Sequence, residues 1–126
     1  MAKILIADNE PSALQVMKQL LEADGHEVSE VRTGSYALRM VMMVTFDLVI
    51  LSCEMPDVNS FDVLRALRVL PTTPKVLMVS QAEIPHDTQV SFDAWGVPYL
   101  QKPYAEQSVK SLVRLLLDGR SVPEGR

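Results

Sequence analysis

Five short runs rich in Ile, Val and Leu recur along the chain, and each is followed by a longer stretch whose apolar residues repeat with helical spacing. Such runs read as strands buried on both faces of a parallel sheet, and the stretches between them as the crossover helices that parallel pairing requires. Strands are expected near Lys3 to Ala7, Glu27 to Val31, Asp47 to Leu51, Lys75 to Val79 and Val97 to Leu100. The first helix starts at Pro11, where a missing N–H costs nothing; it carries Leu14, Met17 and Leu21 inward and ends near Gly25. Thr33 or Ser35 is expected to cap a second helix running to about Val44. Ser60 is expected to cap a third, with Leu64 and Leu67 inward and Pro71 and Pro74 closing the segment. A fourth helix falls between Pro85 and Ala94, and a fifth runs from about Tyr104 to Asp118. The reading is a single α/β domain over residues 1–118 and a polar tail or linker stub over residues 119–126.

At 126 residues the chain can bury enough surface to fold without a metal or disulfide staple. Its one cysteine, Cys53, excludes an internal disulfide, and with only His26 and His86 beside it there is no ligand set for structural zinc. Twelve basic against sixteen acidic side chains leave a net charge of -4, which argues against a surface for nucleic-acid phosphates. No stretch reaches the roughly 18 uncharged apolar residues of a membrane span, and the richest, Met40 to Leu51, is broken by Thr45 and Asp47. Lys3 to Ala7 runs straight into Asp8, Asn9 and Glu10, without the apolar region and cleavage site of a secretory signal. The expected location is the cytoplasm.

In open α/β sheets ligands bind beyond the carboxyl ends of the strands. Asp8 and Asn9 follow the first strand, Ser52 the third, Ser80 the fourth and Lys102 the fifth. Four strands ending in polar residues on one rim mark a candidate site.

Four segments carry a family resemblance: Ile-Leu-Ile-Ala-Asp8-Asn9-Glu10-Pro11, Asp47-Leu-Val-Ile-Leu-Ser52-Cys-Glu-Met-Pro56, Val76-Leu-Met-Val-Ser80 and Tyr99-Leu-Gln-Lys102-Pro103. In this order and spacing the chain resembles, over nearly its whole length, the receiver domain of bacterial two-component response regulators, the CheY-like signal-transduction domains. The resemblance implies a flavodoxin-like doubly wound sheet of five parallel strands in the order 2-1-3-4-5 with five helices, and a cis peptide at Lys102-Pro103. It also implies a pocket of acids after the first strand, here Asp8, Asn9 and Glu10, a phosphoacceptor aspartate after the third, a pocket lysine at Lys102, and switch positions at Ser80 and Tyr99. At two of these positions the chain departs from the pattern: Asn9 stands where the second acid is usual, and Ser52 stands at the acceptor position.

Three carboxylates and a lysine would give the usual pocket a charge of about -2, attractive to Mg²⁺; Asp8 and Lys102 alone sum to about zero, so magnesium binding is expected to be weak or absent and no cofactor is expected. Glu10 and Glu54 are read as solvated loop residues rather than ligands. Asp8 and Lys102, at strand ends taken as neighbouring, should form an ion pair. Ser52 has no base to take its proton and no glycines of a nucleophile elbow, and Lys102 beside Asp8 should stay charged. Cys53 is read as a buried apolar filler. With no glycine-rich phosphate loop either, a hydrolase or transferase is not supported, and the chain is read as no enzyme.

The reading that follows is a degenerate receiver acting as a phosphorylation-independent protein-interaction module. The alternative is a phosphorelay receiver still switched by a ligand or by modification at Ser52. Expected partners are a sensor kinase, an output domain or a second copy, without direct contact to nucleic acid or membrane. Val109, Leu112, Val113 and Leu116 form the inward stripe of the fifth helix, while Leu115 and Leu117 widen its apolar arc to about 200°. The resemblance points to the face of the fourth helix, fifth strand and fifth helix as the surface for partners and dimers.

Overall fold

The structure, a computed structural model, describes residues 1–119. The tail expected over residues 119–126 therefore lies, apart from Gly119, outside the described residues. The elements alternate as β1 (Lys3–Ala7), α1 (Pro11–Ala23), β2 (Glu27–Val31), α2 (Gly34–Met43), β3 (Leu48–Ser52), α3 (Ser60–Arg68), β4 (Lys75–Ser80), α4 (His86–Ala94), β5 (Tyr99–Gln101) and α5 (Glu106–Leu117). All strand pairings are parallel and the order is β2-β1-β3-β4-β5, as the resemblance implied. The Lys102-Pro103 peptide is cis. None of the helices among the described residues is long and apolar enough to cross a membrane.

The strands' period of two divides the core. Ile4, Ile6, Leu48, Ile50, Leu77 and Val79 face one side and meet Leu14, Met17 and Leu21 of α1 and Val109, Leu112, Val113 and Leu116 of α5. Leu5, Ala7, Val49, Leu51, Val76 and Met78 face the other and meet Ala37 of α2, Val63, Leu64 and Leu67 of α3 and Phe92 of α4. With both faces covered, β1, β3 and β4 read as unbroken apolar runs. Edge strand β2 is only partly covered and keeps polar residues.

Several element ends differ from expectation. β3 and β4 each run one residue further, so Ser52 and Ser80 are the last residues of their strands rather than the first beyond them. β5 starts at Tyr99, because Pro98 has no N–H for the ladder and contributes only its carbonyl, to Met78 N–H. Of the two candidate caps of α2, Thr33 acts, its hydroxyl accepting the Tyr36 N–H. Asn59, not Ser60, caps α3: the Asn59 side-chain Oδ1 accepts the Phe61 N–H, and Ser60 turns inward to donate to the Cys53 carbonyl. On α5 Leu117 packs on the core of the α1 and α5 side and Leu115 is half-buried, so the sheet and its neighbours absorb much of the wide apolar arc.

Candidate functional site

The carboxyl ends of β1, β3, β4 and β5 open on one rim, and the loops leaving them bring together a small set of charged and hydroxyl groups. Asp8 is buried directly after β1, with a backbone held to the sheet by its N–H bond to the Val31 carbonyl. Its Oδ1 accepts the Glu10 N–H at 3.0 Å, and its Oδ2 lies 2.7 Å from the Lys102 ammonium. The expected ion pair is therefore present. The two strand ends are not neighbours, however: β3 and β4 stand between β1 and β5, roughly 14 Å of strand spacing. The span is closed because the Lys102 N–H bonds the Ser80 carbonyl at 2.7 Å, drawing its backbone over β4, and the four-carbon stem covers the rest.

Glu10 does not behave as the solvated loop residue expected. Its carboxylate lies 3.2 Å from the Lys102 ammonium, so one cation is shared by two carboxylates and the cluster keeps one net negative charge instead of neutrality. Burial acts to lower the Lys102 pKa, but hydrogen bonds and charge from Asp8 and then Glu10 outweigh it, and the ammonium is held above its ordinary range. The same lysine works to lower the Tyr104 pKa, but burial foremost, with Asp8 and Glu10, leaves that phenol raised.

Ser52 is 1% exposed. Its hydroxyl accepts the Glu54 N–H at 3.1 Å, a short turn that ends β3 and sends the chain back over the rim. That turn delivers Glu54 to the end of β4, where one carboxylate oxygen accepts the Ser80 hydroxyl and the other the Gln81 N–H, both at 2.8 Å. Glu54 is exposed, as expected of a loop residue, but it is not free: its carboxylate satisfies two converging donors, and β4 ends in a pair of them. Cys53 packs against the core but is half-buried rather than buried as expected; burial first, then the Glu54 charge, push its pKa up to about 11, against the lowering effects of Ser80 and Lys102.

Two other predicted positions stand apart from this cluster. Asn9 is exposed and makes none of the cluster's hydrogen bonds. Tyr99 is buried on the α2, α3 and α4 side of the sheet, its ring 5.7 Å from that of Phe92 and its hydroxyl donating to Gln89 Oε1 at 3.4 Å. Sequence reasoning missed Asp57, whose carboxylate takes the Gly34 N–H, the Ser35 N–H and the Ser35 hydroxyl, tying the loop after β3 to the first turn of α2. Its only local signal was an acid in a Pro-Asp turn; the partners lie more than twenty positions away.

Both Asp8 oxygens and both Glu54 oxygens are committed to protein donors. Among the described residues no three acidic, histidine or cysteine side chains converge as metal ligands.

The description that matches this chain, over residues 4–114, is the response regulator receiver domain. The chain belongs to that family. Among curated relatives, CpxR of Escherichia coli strain K12, a transcriptional regulatory protein, is 30% identical over 118 residues, covering 93% of this chain and 50% of CpxR. ResD of Bacillus subtilis strain 168, also a transcriptional regulatory protein, is 27% identical over 115 residues, covering 91% of this chain and 48% of ResD. The receiver thus spans about half the length of the curated relatives it matches. A crystal structure of a CheY-like receiver domain protein from Methanospirillum hungatei JF-1 superposes with a TM-score of 0.85 at 26% identity, covering 94% of this chain and 95% of that one. The molecule is a receiver domain of the response regulator type, a signal-transduction module with a CheY-like flavodoxin fold.

Proposed function

We propose that this receiver works as a protein-interaction module without aspartyl phosphorylation. One observation carries the reading: the side chain that ends β3 inside the rim is the hydroxyl of Ser52, buried and engaged with the Glu54 N–H, where the resemblance expects a carboxylate acceptor. A buried hydroxyl without a base is a poor nucleophile, and Lys102, held charged by Asp8 and Glu10, cannot serve as one. In this reading Ser52 is a degenerate acceptor position, Asp8 and Glu10 hold the Lys102 ammonium instead of a metal ion, magnesium binds weakly, and no reaction is catalysed. Ser80 and Tyr99 are switch positions only in so far as they set the α4 and β5 surface.

The partner in this reading is a protein: a sensor kinase, an output domain or a second copy, met in the cytoplasm. Its surface is the face of α4, β5 and α5, where Val90 is half exposed and Leu115 is half-buried. A second reading, a ligand-switched receiver, is favoured by a cavity of about 400 Å³ beside the ion cluster, between Ala13 and Val16 of α1 and Lys102, Pro103 and Tyr104. Modification at Ser52 has no such support, since the hydroxyl is covered.

Intact-mass spectrometry after incubation with acetyl phosphate and Mg²⁺ tests the proposal. The expected result is an unchanged mass. A stoichiometric phosphoryl adduct released by hydroxylamine would overturn it.

A further inference from the structure

The rim contains an anion and two donors that the ion cluster does not use. Glu54 Oε2 receives the Ser80 hydroxyl and Oε1 the Gln81 N–H, a two-pronged contact between the loop after β3 and the loop after β4. The Ser80 hydroxyl has one proton and two acceptors within reach, Glu54 at 2.8 Å and the Ala82 carbonyl at 2.7 Å. An ionised carboxylate is the stronger acceptor, so Glu54 competes with the loop's own carbonyl for that proton. Glu54 is itself set from behind: Ser52 accepts its N–H, the Cys53 N–H is bonded to the Val79 carbonyl at 2.8 Å, and Ser60 donates to the Cys53 carbonyl at 3.2 Å.

Beyond Gln81 the contact continues into the surface named above. The loop over residues 81–85 buries Ile84 and passes into α4. Gln89 of α4 donates from Nε2 to the Ile84 carbonyl at 2.9 Å and accepts the Tyr99 hydroxyl at Oε1 at 3.4 Å. Glu54, the 81–85 loop, α4 and Tyr99 of β5 are thus joined by hydrogen bonds. α4 begins at His86, with Pro85 in the N-cap position and no side-chain cap, so little of its own sequence fixes where it begins.

We propose that Glu54 is a built-in tether: its carboxylate is the resident anion of the donors at the end of β4, and by holding them it fixes the β4–α4 loop and the α4 and β5 surface in one arrangement without an added group. The proposal rests on the interaction-module reading and supplies its regulation. A surface that is to bind a partner without a phosphorylation switch needs something else to order it, and an internal carboxylate does so at no binding cost.

Amide hydrogen exchange and ¹⁵N–¹H shift mapping of the full chain test this with Glu54→Ala and Glu54→Gln, the β1 and β3 amides reporting that each variant is folded. Glu54→Ala is expected to speed exchange at the Gln81 amide at least tenfold and to move shifts through residues 81–89 and at Tyr99. Glu54→Gln, which keeps one acceptor oxygen but no charge, should fall between, and it carries the test if the alanine variant does not fold. Exchange at Gln81 within twofold of the parent would overturn the tether, and faster exchange at Gln81 with no shift beyond Ala82 would overturn its reach to α4. A phosphoryl adduct on the parent chain would instead overturn the interaction-module reading and leave these exchange data standing, so the two failures are distinguishable.

Discussion

Replacing Lys102 by Met removes the cation that Asp8 and Glu10 share and keeps the apolar stem. The Asp8 side chain, 6% exposed, loses a partner at 2.7 Å that is itself 11% exposed, while Glu10, 41% exposed, loses one at 3.2 Å. Removing one member of a buried pair costs about 3–5 kcal/mol because the other charge is left without compensation, whereas solvent replaces the lost partner of an exposed carboxylate at a cost of about 0–1 kcal/mol. Asp8 keeps the Glu10 N–H, which places the expected loss at the low end, about 3 kcal/mol. Asp8→Asn should cost about 1–2 kcal/mol, since Lys102 keeps Glu10 and the rim. The double variant carries no unpaired buried charge and should cost no more than Lys102→Met alone, a coupling of about 1–2 kcal/mol. Urea unfolding at neutral pH reads these values; with a slope of about 1.5 kcal/mol/M the lysine variant's midpoint falls by about 2 M. The pH dependence has a definite sign. Lys102 titrates above its ordinary 10.5 in the folded chain, so its stabilisation is complete below that pH and disappears as pH rises through the folded value, a loss that Lys102→Met should not show. Single variants whose effects add, or a midpoint shift under about 0.3 M, would refute the electrostatic account of the rim.

Two further outcomes are expected. A Cβ at Gly34 would collide with Val58 Cγ2, so Gly34→Ala should destabilise by about 1–3 kcal/mol in the same urea assay, and Val58→Ala in the same chain should recover part of that loss. The Ser35 hydroxyl, then the Ser35 and Gly34 N–H groups, lower the Asp57 pKa from 3.8 to about 2; the stabilisation is present above 3.8 and lost as pH falls toward 2, and an acid titration of Asp57→Asn followed by circular dichroism should lack that component.

The fold was legible because its determinants are periodic and local. Continuous apolar runs at β1, β3 and β4 and the stripe Val109, Leu112, Val113 and Leu116 on α5 can be read from spacing alone, since burial on both faces of a parallel sheet leaves no other pattern. Element ends were less so: Asn59 rather than Ser60 caps α3 because the inward place of Ser60 is set by the Cys53 carbonyl, which sequence does not show. In the site, the residues on the rim followed from strand ends and the pairing of Asp8 with Lys102 from charge, while the supposed adjacency of their strand ends did not hold. Glu10, Glu54 and Asp57 did not. An exposed carboxylate in a loop has the same local signature whether it meets water or a partner, and what decides between them is which donors other segments bring within 3 Å. For Glu54 those donors are 26 and 27 residues away and for Asp57 they are 22 and 23, separations bridged only when β3, β4 and α2 are packed together.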